Sequence, residues 1–341
     1  MHQERPNAAY QDADQQIEAR PGNRVALHFE GEAGDSRDVS HAQLACEVGR
    51  AVRALRELGV RVGDLVALHL PMIPETVVAL LACDRIGAVP MALADCPDLS
   101  HDPGDGPTRR RRPLVALVVT ADGGYDRGRP VAWKAAVDRA LADRRSAPPV
   151  LVVRRTGQSV AWARGRDHWW HELTERRPAE HLSPESVDRS AGGAGATPLG
   201  LRPVGDVYWC TADSDWIIAN SAVVHGPFAA GATQVICEDP PGATDRGRLW
   251  EIVQRHGVTV LHTAPDAFAD LLRWGDDAAD GFDLSRLRIL GSIGESVRPE
   301  LWYWHREHLS GGRTSPWELR TCAAPWSPQA QRRPTRLYAI R

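Results

Sequence analysis

Polar side chains that could bind a ligand follow an apolar segment near the middle of the chain. Val207-Tyr208-Trp209-Cys210 is typical of a buried strand, and Thr211-Ala212-Asp213 ends it with a hydroxyl and a carboxylate. Residues 216–228 are apolar with small residues among them, which predicts a helix packed closely against a sheet. Because open α/β sheets bind ligands beyond the carboxyl ends of their strands, the sequence predicts a ligand site at residues 211–213.

Two other groups of side chains suggest chemistry, and in each case a structural role is favoured. The run Arg109 to Arg112 could grip phosphates, but it is short and has no aromatic residues between the arginines, which favours a solvated loop. His168 and His171 are close enough on a helix to share a metal, but no third ligand is in sight, which favours packing or surface roles. Neither a Gly-x-Ser-x-Gly elbow nor a His-Glu-x-x-His motif occurs, so a hydrolase is not supported.

The composition is that of an ordinary globular protein of 341 residues, with 43% hydrophobic and 25% charged residues. The net charge of −3 gives no reason to expect nucleic acid or an acidic membrane as a partner. No apolar run reaches about 18 residues and the first residues are polar, so neither a membrane span nor a secretory signal is predicted. The six cysteines lack metal-binding spacing and are interpreted as buried thiols of a cytoplasmic protein. Lys134 is the only lysine.

The predicted elements alternate between strands and helices. Strands are predicted near residues 24–29, 64–70 and 87–93, with helices over 40–58 and 74–86 between them. This alternation predicts an α/β fold with mostly parallel sheets flanked by helices. The predicted segments are a polar N-terminal segment (1–22), a first α/β half (23–177), a Gly/Ala/Pro-rich linker (178–203), a second α/β half (204–311) and an irregular tail (312–341).

Several segments carry a resemblance to a known family. The stretch VGDVYWCTADSDWIIANSAVVHGPFAAGA is similar to the acetyl-CoA synthetase branch of the acyl-adenylate-forming enzymes. Further matches are found at residues 62–89, 120–122 with 128–129, 162–171, 263–265 and 287–295. The resemblance implies a large N-terminal domain that holds the nucleotide and a small C-terminal domain that moves over it. It also implies a reaction in which ATP and acetate form acetyl-adenylate, followed by acetyl transfer to coenzyme A.

Parts of the family's catalytic apparatus have no counterpart in this sequence. The family's phosphate loop, Thr-Ser-Gly-Ser-Thr-Gly-Lys-Pro-Lys-Gly, belongs between Leu182 and Asp206, where this chain has only a Gly/Ala-rich linker. The helix after that loop and the small C-terminal domain are also missing, so we expect an incomplete N-terminal domain. Lys134 lies in an amphipathic segment far from both lysines of the family. No residue is therefore assigned a catalytic role.

The acyl pocket is partly retained by resemblance. Trp216, Ile217, Ile218 and Ile293 match positions that line the acetate site, and Ile218 replaces a hydroxyl residue of the family. Asp215 stands where the family has glycine, which should repel an anionic substrate. These residues predict an apolar pocket with altered chemistry.

The nucleotide and coenzyme A sites are also implied only by resemblance. Gly294, Glu295 and Ser296 match the family's Gly-Glu-Pro turn along adenosine, and Arg129 matches one of two arginines that hold the 3′-phosphate of coenzyme A. Asp126 stands at the other arginine position. ATP, AMP, coenzyme A and Mg²⁺ are thus the family's ligands, but the family's Mg²⁺-binding motif, expected after residue 312, is replaced by SPWELRTCAAPWSP.

Three hypotheses about function follow from these departures. The first is a synthetase-like protein that no longer catalyses the reaction, including the product of a degenerate or frameshifted gene. The second is a pseudoenzyme that still binds adenosine nucleotide or acyl-CoA, or that associates with an intact synthetase. The third is a working acyl-CoA ligase. Loss of a loop and helix from a sheet core also predicts a marginally stable or aggregation-prone domain, or one that needs a partner.

Overall fold

The protein forms two mostly parallel sheets, as the alternation of strands and helices predicts. The structure is a computed structural model that describes residues 24–93, 115–126, 129–142, 147–175, 199–202, 205–238, 246–263, 281–293 and 318–322. The strands in chain order are β1 (Val25–Glu30), β2 (Ser36–Ser40), β3 (Leu65–His69), β4 (Val89–Ala92), β5 (Val115–Ala121), β6 (Gly124–Asp126), β7 (Arg129–Val131), β8 (Val150–Val153), β9 (Asp167–Trp169), β10 (Val207–Cys210), β11 (Thr233–Cys237), β12 (Val260–Thr263), β13 (Ile289–Ile293) and β14 (Glu318–Cys322).

The described helices flank these sheets. They are α1 (His41–Glu57), α2 (Pro74–Ile86), α3 (Trp133–Leu141), α4 (Trp170–Glu175), α5 (Ser214–Ala219), α6 (Ala222–Ala230) and α7 (Arg246–His256). The predicted ends of α1 and α2 are confirmed because their capping signals are local. Ser40 and Gln43 form a reciprocal capping box at the start of α1, and Gly87 ends α2 in the left-handed conformation.

The smaller sheet has five strands in the order β4-β3-β5-β8-β9, and every neighbouring pair is parallel. Its central strands, VALVVTA and VLVV, are almost continuous apolar runs. Such runs are typical of parallel strands that are covered on both faces. β6 and β7 form a separate antiparallel hairpin directly after β5.

The larger sheet has seven strands in the order β14-β13-β12-β10-β11-β1-β2, with only β2 antiparallel to its neighbour. β1 pairs with β11, so the first two strands of the chain join the sheet built mainly by residues 207–322. The two halves predicted from the sequence therefore do not coincide with the two sheets. β14 extends the sheet with residues that were expected to be irregular.

Two local predictions differ from the structure. The single helix expected over 216–228 is divided into α5 and α6 at Asn220, whose side-chain amide donates to the carbonyl of Trp216 at 2.9 Å. Asparagine competes with helical hydrogen bonding in this way. His168 lies in β9 and His171 in α4, so the two histidines do not share a helix. Across the described residues, no group of three or more His, Cys, Asp and Glu side chains could hold a metal ion.

The main hydrophobic core joins the two sheets. It includes side chains of α1 and α2 together with Ile217, Ile218 and Phe228 from the central segment. α5 packs against β4, the edge strand of the five-stranded sheet. Within the described ranges, none of the helices is long and apolar enough to cross a membrane.

The only lysine of the chain is buried in an ion-pair cluster beside the five-stranded sheet. Lys134 Nζ lies 2.8 Å from an Asp138 oxygen, 2.9 Å from an Asp167 oxygen and 3.1 Å from the carbonyl oxygen of Ala161. Arg166 pairs with the same two carboxylates. The amine of Lys134 thus fastens α3 to the segment that leads into β9.

Candidate functional site

The strand order of the seven-stranded sheet places a topological switch point at the carboxyl ends of β10 and β12. The chain passes from β10 to β11 on one side and then to β12 on the other side of β10. Loops that leave a parallel sheet in opposite directions at such a point open a cleft that ligands occupy. The site predicted at residues 211–213 lies directly beyond β10, at this switch point.

Three hydroxyl residues cross this edge, and we call Thr211, Thr263 and Ser292 the hydroxyl row. Thr211 Oγ1 donates to Thr263 Oγ1 at 2.6 Å, and the Thr211 backbone N–H donates to the carbonyl of His262 at 2.9 Å. Thr263 and Ser292 are register partners in β12 and β13. Ser292 is completely buried, and its Oγ has no hydrogen-bond partner among the residues that the structure describes. An unsatisfied buried hydroxyl is uncommon and marks a place where a polar group is missing.

Tyr208 and His262 are buried beneath the hydroxyl row, and Cys210, directly before Thr211, is half-buried. Tyr208 Oη is 3.3 Å from His262 Nδ1, and the two rings meet edge to face. Burial raises the pKa of the Cys210 thiol to about 12. A thiol with this pKa stays protonated at neutral pH, so Cys210 is poorly suited to nucleophilic catalysis.

The residues predicted for the acyl pocket are brought together only in part. Trp216, Ile217 and Ile218 are consecutive in α5, where both isoleucines are 2% exposed and Trp216 packs against the same core. Ile293 ends β13, next to Ser292. The predicted nucleotide-binding residues Gly294, Glu295 and Ser296 lie outside the described residues.

The burial of Ile218 leads to a stability prediction. Replacing Ile218 with threonine, which restores a hydroxyl at this position, should lower the free energy of unfolding by about 2–3 kcal/mol, because it removes buried carbon and buries a polar group. Ile218→Val, the matched control, should cost about 1 kcal/mol. Urea unfolding of both variants measures the difference. Equal costs for threonine and valine would mean that the hydroxyl finds a partner and that the site is more polar than the core packing indicates.

The five-stranded sheet has a second switch point, between β3 and β5. Asp122 follows β5 and is 1% exposed. Its carboxylate accepts from the backbone N–H groups of Gly123, Arg155, Thr156 and Gly157 at 2.7–2.9 Å. The matched family turn at residues 120–122 is therefore a rigid structural corner.

The predicted coenzyme A residue Arg129 lies close to this corner along the chain. It starts β7, is exposed, and is the register partner of Asp126 across the hairpin. His69, at the end of β3, packs its ring 4.6 Å from that of Trp133. Burial lowers the pKa of His69 to about 4. The switch point of this sheet is thus lined by an uncharged imidazole at neutral pH.

The shifted pKa of His69 predicts a specific pH dependence of stability. The unfolded chain protonates His69 near pH 6.5 and the folded chain only near pH 4, so the unfolded state binds more protons between these values. This contribution to stability is complete above pH 6.5 and should fall by about 3 kcal/mol as the pH drops through 4. His69→Phe, which keeps a ring against Trp133, should remove this part of the dependence in urea titrations. An unchanged pH profile in the variant would contradict the assignment.

The matches to known proteins agree with this architecture. The sequence profile described as AMP-binding enzyme matches residues 13–100 and 187–315, which is more than half of the chain. The chain belongs to the AMP-binding enzyme family. Residues 204–231 predict a resemblance to acetyl-CoA synthetases, and similar proteins of that name from two Streptomyces species confirm it.

The similar proteins of this family are about twice as long as the chain. Acetyl-coenzyme A synthetase of Streptomyces avermitilis is 46% identical over 355 residues, covering 94% of this chain and 54% of the relative. The enzyme of the same name from Mycobacterium tuberculosis H37Rv is 38% identical, with the same coverage. Acetoacetyl-CoA synthetase from Streptomyces lividans shares the fold, with a TM-score of 0.69 at 22% identity, covering 92% of this chain and 51% of that structure. The chain spans about half the length of the curated relatives it matches.

This member of the AMP-binding enzyme family lacks residues inside the matched region. The alignment with the Streptomyces avermitilis enzyme spans 355 positions, more than the 341 residues of the chain. The relative therefore has residues there for which this chain offers no counterpart. The Gly/Ala-rich linker at 178–203 is where the phosphate loop of the family was expected.

The described end of that linker is fixed at the edge of the sheet opposite the hydroxyl row. Asp206, just before β10, accepts from the Arg202 backbone N–H at 2.7 Å, from Thr259 Oγ1 at 2.8 Å and from Arg288 Nη2 at 2.6 Å. Arg288 also donates to the carbonyl of Gly200 at 3.1 Å. Because these residues precede their strands, they lie at the amino edge of the parallel sheet.

The central segment of this family member carries no basic charge apart from histidine. Residues 205–238 contain neither lysine nor arginine. Asp213 caps α5 by accepting from the Trp216 backbone N–H at 2.8 Å, and Asp215 lies in the first turn of the same helix. The charged side chains directly after β10 are therefore acidic.

The ligand site predicted from the sequence includes Thr211 of the hydroxyl row but neither Thr263 nor Ser292. A usable signal was present, because the dipeptide Thr-Ala occurs at 120–121, 211–212 and 263–264, at or just after the end of a predicted strand each time. Its repetition indicates that several strands end at the same edge of a parallel sheet. Ser292 carried no comparable signal, since its significance lies in a missing hydrogen bond.

Proposed function

We propose that this member of the AMP-binding enzyme family is a non-catalytic relative of acetyl-CoA synthetase that binds an adenosine nucleotide or acyl-CoA without forming an acyl-adenylate. The observation that carries the proposal is that the phosphate loop implied by the family resemblance, with its lysines, has no counterpart before the central segment 205–238. The linker before it contains no lysine, and its described end is held at the opposite edge.

The chemistry of adenylation explains why this absence matters. A carboxylate must attack the α-phosphate of ATP, and both partners are negatively charged. Positioned cations and backbone N–H groups normally compensate this charge. Here Asp215, which stands where the family has glycine, adds a carboxylate after β10 instead of a cation. This edge of the sheet supports binding of less charged groups better than phosphoryl chemistry.

The family's Mg²⁺-binding motif has no counterpart in the sequence after residue 312. We therefore assign no step to Mg²⁺.

An activity assay tests the proposal directly. Purified protein incubated with acetate, ATP–Mg²⁺ and coenzyme A should release no AMP above the background without protein. The acetyl-coenzyme A synthetase of Streptomyces avermitilis, assayed in parallel, provides the positive control. Acetate-dependent AMP release by this chain would contradict the proposal and favour a working ligase.

We also propose an intact synthetase as a protein partner and the cytoplasm as the place of action. The partnership is supported by the 46% identity between this chain and a synthetase of about twice its length. Any surface through which synthetase chains contact one another would be shared by this chain. Size-exclusion chromatography of an equimolar mixture with the Streptomyces avermitilis enzyme should show co-elution. Separate elution at micromolar concentrations would contradict the partnership.

A further inference from the structure

The hydroxyl row has more hydrogen-bond donors than it uses. Thr211 gives its hydroxyl proton to Thr263 Oγ1, so the proton of Thr263 must be donated elsewhere. Ser292, beside Thr263 in register, is fully buried and its side chain makes no hydrogen bond within the described part of the chain. Two hydroxyl protons on neighbouring strands are thus available to an oxygen atom that lies between them.

The charges around the row determine what kind of oxygen this is. Residues 205–238, 258–263 and 289–293, which form β10, β11, β12 and β13, contain neither lysine nor arginine. The neighbouring strand β14 has one basic residue, Arg320, which is the register partner of Gly291, whereas Ser292 pairs with Thr321. Asp213 and Asp215 stand directly beyond Thr211. A phosphate or a free carboxylate between Thr263 and Ser292 would add negative charge beside β10 to β13, and none of these described strands carries a lysine or arginine to compensate it.

We propose that the hydroxyl row is a subsite for an uncharged oxygen of a ligand, either a ribose hydroxyl of a nucleoside or an amide carbonyl of a pantetheine chain. This subsite rests on the proposed function, because both groups are parts of the ligands named there. Thr263 and Ser292 supply the donors, and Thr211 fixes the orientation of Thr263. The row selects the neutral part of the ligand and leaves any phosphate outside the edge of the sheet.

Isothermal titration calorimetry of the whole chain with two matched pairs of ligands tests the subsite. Adenosine is compared with AMP, and pantetheine with 4′-phosphopantetheine. We expect one of the uncharged ligands to bind at least as tightly as its phosphorylated counterpart. Ser292→Ala should weaken that ligand about five- to tenfold, as expected for one lost hydrogen bond. Thr263→Val should have an effect of similar size.

Two controls separate binding from folding. Ser36→Ala, on the exposed edge strand β2, should leave the affinity unchanged. Ser292→Ala removes a hydroxyl that has no partner, so the ligand-free variant should melt at or above the temperature of the unaltered protein. A variant that binds less tightly but is not less stable identifies a ligand-binding hydroxyl.

Results that contradict the subsite differ from results that contradict the proposed function. Tighter binding of both phosphorylated ligands, or full affinity in Ser292→Ala, overturns the subsite while leaving a non-catalytic binding protein. Absence of binding by all four ligands overturns the subsite and the binding part of the proposed function. The predicted lack of acetate-dependent AMP release is tested separately, by the activity assay.

Discussion

Replacing Arg155 with alanine should lower the free energy of unfolding by about 3–5 kcal/mol, the usual cost of leaving a buried charge without its partner. Arg155 follows β8 in the five-stranded sheet, and its guanidinium bonds Glu238 beyond β11 at 2.8 and 2.5 Å. It also bonds both oxygens of Asp35 at 2.9 Å. The side chain of Glu238 is fully buried, so the variant would leave its carboxylate without a cation, with the backbone N–H of Glu32 as its remaining donor among the described residues.

Arg154 provides a matched control for this prediction. It is the neighbouring arginine, it is exposed, and its guanidinium lies 4.7 Å above the ring of Trp169. Arg154→Ala should therefore cost only about 0.5–1 kcal/mol. Chemical denaturation of both variants measures the two free energies. Equal, small costs would show that the two sheets do not depend on the Arg155 bridge.

Replacing Asp122 with alanine should lower the free energy of unfolding by about 3–5 kcal/mol, because several enclosed backbone N–H groups would lose their acceptor. The carboxylate holds the turn that contains Arg155, Thr156 and Gly157 against the end of β5. Its loss should also loosen Arg155, so the double variant with Arg155→Ala should cost less than the sum of the single variants.

Asp122→Asn is the control for the loss of the side chain. The amide oxygen can replace Oδ1, which accepts from Gly123, Arg155 and Thr156, while the amide nitrogen cannot accept from Gly157. We expect an intermediate loss of about 1–2 kcal/mol. Additive costs in the double variant, or an asparagine variant as unstable as alanine, would contradict this description of the corner.

These two residues matter for function because they join the carboxyl edges of both sheets. Asp122 positions Arg155, and Arg155 reaches Glu238 just after β11, the strand next to β10, which leads to Thr211 of the hydroxyl row. The rings of Phe29 and Tyr125 lie 5.5 and 5.4 Å from the same guanidinium. The edge that carries the candidate site is therefore held rigid by charged contacts.

Much of the fold could be predicted from local sequence signals. Pro74 and Gly87 mark the two ends of α2, and Ser40 with Gln43 marks the start of α1, because capping chemistry depends on residues only a few positions apart. The apolar runs of β5 and β8 identify covered parallel strands in the same way. The family could also be predicted, because residues 204–231 resemble the family's sequence throughout.

The remaining features depend on contacts between residues far apart in the sequence. β1 joins the sheet of β11 across more than 200 residues, and no local pattern indicates that pairing. The Arg155–Glu238 bridge and the Thr211–Thr263 hydrogen bond likewise need the folded topology. The division between α5 and α6 was missed because the apolar pattern continues through Asn220.

The central proposal is that the chain keeps the family fold and binds a nucleotide or acyl-CoA but does not form an acyl-adenylate. The most direct test is a thermal melt of the purified chain, alone and with millimolar AMP, acetyl-CoA or ATP–Mg²⁺. A ligand that binds only the folded state at 100 times its Kd stabilises it by about 2.7 kcal/mol. We predict a cooperative melt that AMP or acetyl-CoA shifts to higher temperature. A melt that no ligand moves, or the absence of a cooperative transition, would contradict a surviving binding site and leave only a synthetase-like scaffold.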